Sequence, residues 1–336
     1  MTTPSTVLVG RTRPRSIILP SSLALGVLCL MAIALTLGSS DLSLGSAVSA
    51  AVGLAEPGEV FIVRELRLPR VLVAVGVGAT LGASGTLMQG LMRNPLASPD
   101  IVGVTGGASL ATVLAISGAA GPTLLPVAAA AGALVATAVL QVLDHRNSSG
   151  ARLVLIGIGL HAIVSAGVTL AIARIPADRL GAAEVWLAGS LHARTWTHVG
   201  TILVGAAITL PLAFGLLRHL RTLELGDEIA VGAGVRVTRT RHLLLMSSAL
   251  LAGVAVAVSG PIAFVALGAP HIARRLVGPT SPATLTTAAL IGALLVLAAD
   301  LIGKNLLAPT SLPAGVVTAA LGAPYLLWLL HRMGRT

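Results

Sequence analysis

Cysteine, lysine, aromatic residues and charge in general are all scarce in this chain of 336 residues. The one cysteine, Cys29, excludes an internal disulfide and a cysteine-built metal centre, and it reads as a packing residue. The one lysine, Lys304, stands in "ADLIGKN". A phosphate-binding loop of the Gly-x-x-x-x-Gly-Lys-Ser/Thr type is therefore absent, and the chain does not bind ATP in that way. No His-Glu-x-x-His pattern or cluster of metal ligands occurs, so no cofactor is expected in this chain. Charged residues make up 10% and aromatic residues 2% of the sequence. A water-soluble domain carries about 25% charged residues, so this chain cannot cover a water-facing surface.

Long apolar stretches fill the space that charge leaves. Hydrophobic residues account for 55% of the chain, and uncharged runs recur at 16–40, 71–92, 101–143, 153–173, 199–217, 243–270 and 305–330. A membrane-crossing helix needs roughly 20 such residues. The alternation of an outer-membrane barrel is missing. The fold class is an all-α polytopic membrane protein. Single spans are expected near 17–38, 70–92, 153–173, 199–217, 284–303 and 313–331. The 101–143 run is too long for one helix and divides at "SGAAGPT"; the 243–277 region divides at "SGPIAF" (259–264). The total is about ten spans, forming one transmembrane domain over 17–331 behind a short tail, 1–16. The first run is too long, and its flank too poor a cleavage site, for a removed signal peptide.

With ten spans and a cytoplasmic N-terminus, 15 of the 22 basic residues fall inside, among them Arg11, Arg13, Arg15, Arg93, Arg146, Arg218, Arg241, Arg274, Arg275, Arg332 and Arg335. The net charge of +10 is then the positive-inside bias of an inserted protein rather than a nucleic-acid footprint. The predicted location is the cytoplasmic (inner) membrane, with both termini in the cytoplasm. All twelve acidic residues fall in loops or at helix ends, which counts against ion-coupled secondary transport. His161 lies well inside a span and reads first as an interhelical hydrogen-bonding residue, second as a proton relay.

Two stretches carry more than hydropathy. "RLPRVLVAVGVGATLGASGTLMQGLMRNPLASPDIVG" (67–103) sets an uncharged, glycine-rich run between Arg67-Leu68-Pro69-Arg70 and Arg93-Asn94-Pro95-Leu96-Ala97. Small residues three and four apart let helices approach closely in lipid. Taken alone, both charged ends read as interfacial anchors. The segment 218–242 is the longest polar inside stretch, and within it "LGDEIAVGAGV" reads as a short helix. Asp227 and Glu228 suit its N-terminus, and Gly232 and Gly234 end it after about two turns. It is either a solvated loop or a docking helix.

These pieces, together with "EVWLAGSL" (184–191) in an outer loop, "SGPIAFVALGAPHIARRLVG" (259–278), "AAD" (298–300) and "LPAGVVTAALGAPYLLWLL" (312–330), occur in an order that resembles the permease subunit of iron-siderophore and cobalamin ABC importers, the FecCD/BtuC-like family. The likeness covers most of the chain beyond residue 60. It implies a membrane subunit without catalytic residues, carrying a ferric siderophore, or cobalamin or haem as alternatives. The implied partners are two copies of an ABC ATPase, a second permease chain (identical or related), an extracytoplasmic substrate-binding protein and membrane lipid, with no nucleic acid. It also implies ATPase coupling through Gly226, Asp227, Glu228, Ala230, Gly232 and Val235, docking of the binding protein on Arg67 and Arg70, and a gate or pathway role for Gln89, Asn94, Pro95 and Leu96. Lys304 stands where the family often has arginine. It keeps the charge but not the bidentate fork, and is expected to be a weaker third docking contact.

Overall fold

A computed structural model describes residues 15–38, 42–144, 150–306 and 311–333. Arg11, Arg13, Arg146 and Arg335 lie outside these. Within them there is helix and no strand, as lipid demands of a chain that must satisfy its backbone groups internally. In chain order the helices are α1 (Arg15–Thr36), α2 (Leu44–Val52), α3 (Pro57–Phe61), α4 (Leu68–Met92), α5 (Val104–Ser117), α6 (Leu125–Leu143) and α7 (Gly150–Ile172). They continue with α8 (Ala177–Leu187), α9 (Trp196–Glu224), α10 (Asp227–Gly232), α11 (Val237–Ser259), α12 (Val265–Val277), α13 (Pro282–Asn305) and α14 (Ala314–Met333).

Among the described residues, seven helices are long and apolar enough to cross a membrane: α1, the continuous Pro57–Met92 segment that includes α4, α6, α7, α9, α11 and α13. The other three expected spans correspond to α5 and α12, which are shorter, and to α14, whose apolar stretch is Ala314–Leu329. The expected breaks at 118–122 and 259–264 are where helices end. At the second, Gly260 (φ 72°) and Phe264 (φ 67°) both adopt left-handed backbone, so α12 starts afresh inside the bundle.

Three expectations need correction. "EVWLAGSL" is not a plain loop: its first half belongs to α8, whose Trp186 is buried, because the stretch packs on the bundle instead of standing in solvent. The polar segment 218–242 is mostly helix, since α9 runs on to Glu224 and α11 starts at Val237, leaving only short turns about α10. Cys29 is exposed on α1 rather than packed.

Helix α4 lies at the centre, with nearly its whole length buried. Its glycines set the spacing. A Cβ at Gly78 would overlap the Gly292 carbonyl of α13, one at Gly82 the Ala288 carbonyl, and one at Gly85 the Ala266 carbonyl of α12. Main chain therefore touches main chain along one face. On another face Ser84 and Ser248 of α11 bond reciprocally: Ser84 Oγ donates to the Ser248 carbonyl at 2.7 Å, and Ser248 Oγ to the Ser84 carbonyl at 3.0 Å. Two apolar clusters stack along the helix. One surrounds Val73, Val77 and Leu81 with Val296 and Leu297; the other surrounds Leu87 and Met88 with Leu217, Leu220 and Leu244. In contrast, α7 shows Leu155, Ile163 and Leu170 on an open face.

The glycine contact makes a sharp prediction. Gly78→Ala should lower stability by about 1–3 kcal/mol, as overpacking does, whereas Gly215→Ala, with open space around it in α9, should be neutral or better. Thermal unfolding of the detergent-solubilised chain would separate the two; equal melting temperatures would refute backbone contact at Gly78.

Candidate functional site at the two ends of the central helix

Arg67 and Arg70 sit at one end of α4 and Arg93 at the other. Twenty-five residues at about 1.5 Å each span roughly 37 Å, about the thickness of a bilayer. Arg241, Arg274 and Arg275 gather at the Arg93 end, which is the inner end expected from the positive-inside rule, with the Arg67 end as the outer one.

At the outer end the chain enters through a widened helical turn, Ile62–Arg67, that runs straight into α4 with Pro69 in its first turn. Arg67 is only 6% exposed. Its Nη1 donates to the carbonyls of Leu35 (2.7 Å) and Thr36 (2.9 Å) in the last turn of α1, where Thr36 also accepts from the Leu42 amide. Lys304 Nζ donates to the next carbonyl, Leu37, at 2.9 Å. Arg70 forms a two-pronged pair with Asp300 of α13: Nε to Oδ2 at 2.8 Å and Nη2 to Oδ1 at 2.9 Å. Both side chains are largely buried, at 16% and 7% exposure. The three cations that resemblance marks for docking thus come together here, and each already has an internal partner.

A fourth cation joins them. Arg194, in the turn between α8 and α9, donates to the Ser190 carbonyl through Nη2 at 2.8 Å. Burial, and then the positive charge of Arg70, push its guanidinium below the ordinary arginine value. Arg67, Arg70, Arg194 and Lys304 line one cavity of about 480 Å³ with Glu65 and Asp300. Sequence reading missed Arg194 because its place in this cavity follows from the fold of 188–195, not from any local pattern.

At the inner end α4 closes with Arg93 in the left-handed region (φ 48°). The Arg93 and Asn94 amides turn back to the carbonyls of Gly90 and Gln89, a common helix stop. Asn94 Oδ1 accepts from the Leu96 amide at 2.9 Å, and the Asn94 carbonyl accepts from the Ala97 amide at 3.1 Å. Asn94, Pro95 and Leu96 therefore make a tight, half-buried turn. Gln89 is elsewhere: fully buried, its Nε2 donating to the Leu267 carbonyl of α12 at 3.0 Å. It joins two helices and lines no open space.

Helix α10 runs from Asp227 to Gly232, with Gly226 before it (φ 127°) and Gly234 after it (φ 78°). Its acidic first turn and glycine end are as the sequence suggested. Its side chains divide by direction. Ala230 is buried, and Val235 packs half-buried against the inner cluster. Asp227 faces inward, held by Arg93 (2.9 Å) and by both oxygens to Arg241 (3.0 and 2.8 Å). Glu228 and Gly232 are exposed. So are Leu225, Ile229 and Val231, at 67%, 55% and 65%, on the side of the molecule where basic residues gather. Sequence reading missed these three; an apolar residue repeated at i and i+4 (Leu225, Ile229) beside a polar cluster was the available signal.

His161 stands on the open face of α7. Its partner among the described residues is Ser165 Oγ at 3.4 Å, one turn away on the same helix, so the expected bond to another helix is not made.

Residues 25–332 match the model of the FecCD transport family. The chain is 45% identical over 280 residues to the "Probable siderophore transport system permease protein YfhA" of Bacillus subtilis (strain 168), covering 81% of this chain and 82% of that one. It is 40% identical over 311 residues to the "Fe(3+)-citrate import system permease protein YfmE" of the same organism, covering 92% and 93%. A solved inward-facing structure described as of a metal-chelate type ABC transporter superposes with a TM-score of 0.84 at 29% identity, over 93% of this chain and 98% of that one.

The buried pair at the outer end predicts its own mutational pattern. Removing one partner strands a buried charge, so Arg70→Met or Asp300→Leu alone should each cost about 3–5 kcal/mol. The double variant should cost less than either. Unfolding of the three purified variants checks this, and additive losses would show that the pair is not coupled.

Proposed function

This chain belongs to the FecCD transport family, and from that premise we propose that it is the membrane-spanning permease subunit through which an ABC importer passes a ferric siderophore or similar iron chelate across the cytoplasmic membrane. The family is one of ABC transporter permeases, so ATP hydrolysis belongs to a partner chain. One of the relatives above is named for a siderophore and the other for Fe(3+)-citrate, which supports this class of cargo.

Ten embedded segments with both termini in the cytoplasm fit the geometry. The last carbonyls of α1 meet Arg67 and Lys304 at the outer end, so α1 starts at the inner end. Trp328, near the end of α14, lies beside Arg275 at the inner end.

In this reading the importer holds two permease chains, two ATPase chains and an external binding protein. The loaded binding protein docks over the outer cavity. Arg67, Arg70 and Lys304 set its positive field, with Arg194 beside them, and acidic side chains of the binding protein are the complementary partners. Each ATPase seats on α10. The observation that carries this part is the trio Leu225, Ile229 and Val231. Apolar side chains held out on the water-facing side beyond a membrane bundle suit a protein contact and little else. Gly226, Glu228 and Gly232 lie within that contact, while Ala230 and Val235 hold the helix to the bundle. The turn of Asn94, Pro95 and Leu96 forms part of the inner gate, with Gln89 fastening α4 to α12 behind it. ATP binding in the partner shifts the balance of inward- and outward-open forms through its different affinity for the two.

The test is Ile229→Glu in cells carrying the whole importer, followed by affinity purification of the permease and by uptake of radio-iron bound to a panel of siderophores. The expected result is full membrane abundance with ATPase co-purification and uptake both reduced about tenfold or more, as loss of a central apolar anchor implies. Uptake by the unmutated cells that persists after ATP is exhausted, with the proton gradient intact, would instead make the protein a secondary transporter.

A further inference from the structure

We propose that Arg93 is the positioning residue through which movement of α10 reaches the inner gate turn, with Asp227 as its receiving end. This rests on the reading of α10 as the seat of the ATPase, and it assigns separate tasks to two arginines that share one carboxylate.

The geometry is specific. Asp227 opens α10 and points away from the ATPase-facing side. One of its oxygens accepts from Arg93 Nη2 at 2.9 Å, while both accept from Arg241 Nη2 at 3.0 and 2.8 Å. The same Arg93 nitrogen also donates to the Leu223 carbonyl at the end of α9. Arg93 thus grips the α9–α10 corner at two points, one on each side of Gly226. Its own backbone caps α4, and the next three residues are the Asn94-Pro95-Leu96 turn, locked by the Asn94 side chain. Beside the apolar packing of Ala230 in the inner cluster, the polar link from α10 to that turn is this one side chain.

The two arginines differ in setting. Arg241 is 17% exposed and Arg93 44% exposed. Arg241 stands in the first turns of α11, only fourteen residues from Asp227, and its closer hold ties α10 to the start of the next helix. Arg93 comes from 134 residues away, on a different helix. Removing Arg93 therefore leaves α10 anchored by Arg241, while cutting the link to α4. A second connection explains why the corner moves as one piece. Glu224, at the end of α9, accepts from Thr280 Oγ1 at 2.6 Å and faces Arg274 at 3.7 Å. The corner is held from α4, α11, α12 and the turn before α13, and it also packs on Leu91, Met92 and Ala97; among the described hydrogen-bonded links, the one from Arg93 leads directly into the gate turn.

The experiment uses the complete importer in proteoliposomes, with the unaltered chain as the parent for ATPase binding and iron delivery, and a Cys29→Ser, Leu96→Cys version used only to report exposure at residue 96. Three quantities are read: ATPase co-purification, siderophore-iron delivered per ATP hydrolysed, and the rate of alkylation at residue 96 with and without ATP. In Arg93→Gln the ATPase should stay bound and hydrolyse ATP, iron delivered per ATP should fall about tenfold, the size of coupling such networks carry, and the ATP-dependent change in alkylation should disappear. Arg93→Lys keeps the charge and the donors, but on an arm one atom shorter and without the rigid plane that aims Nη2 at both the Leu223 carbonyl and Asp227, so it should fall between. An unchanged iron-to-ATP ratio and unchanged ATP-dependent alkylation in Arg93→Gln would overturn the proposal. If Arg93→Gln fails to accumulate, the Arg93→Lys ratio decides in the same way. A parent permease that binds no ATPase at all would defeat the importer reading itself, an outcome distinct from a coupled parent whose variant behaves identically.

Discussion

The contact between the main chains of α4 and α13 is the constraint on which the rest of this structure depends. In lipid, helices gain little from the hydrophobic effect against one another and rely on close packing and polar contacts. The glycines of α4 meet that demand by removing the side chains that would keep the helices apart. Gly78 and Gly82 bring carbonyls of α13 to van der Waals distance, and Gly85 does the same for α12. Ser84 and Ser248 add hydrogen bonds on a second face. With α4 fixed in this way, its two charged ends are fixed as well.

The two ends use charge differently. At the outer end the cations are buried and engaged: Arg67 and Lys304 close off α1, and Arg70 is locked to Asp300. Their positive field over the cavity is a by-product of structural duty, so the surface they present is already organised. At the inner end Arg93 and Asp227 are each nearly half exposed. An exposed pair is worth little as stability, so the value of this one lies in connection. One end is held by buried contacts, and the other by a pair that water reaches.

Much of this was legible in the sequence, and the parts that were not share a physical cause. The inner limit of α4 could be read because Arg93-Asn94-Pro95 stops it, and α10 because its acids and glycines are local signals. The membrane class followed from the shortage of charge. What could not be read depended on distance along the chain. Arg67 looks like a surface residue until α1 brings the Leu35 and Thr36 carbonyls to it from about thirty residues away. Asp227 looks like an unpaired acid at a helix start until Arg93 reaches it from 134 residues away. The continuous helix from Pro57 to Met92 was hidden because Arg64, Glu65, Arg67 and Arg70 interrupt the apolar run without interrupting the helix. Helix α8 was missed because it is short and of mixed polarity, and period alone does not reveal such a helix.

The glycine seam also sets the stiffness of the bundle. Most helix interfaces can absorb a small push by letting side chains hop between rotamers. The α4–α13 seam has few side chains between its backbones, hence few rotamers to change. A force applied at the Arg93 end cannot be dissipated there as local repacking. It must tilt or slide the two helices as a single beam, and Arg70 and Asp300 ride at the far end of that beam.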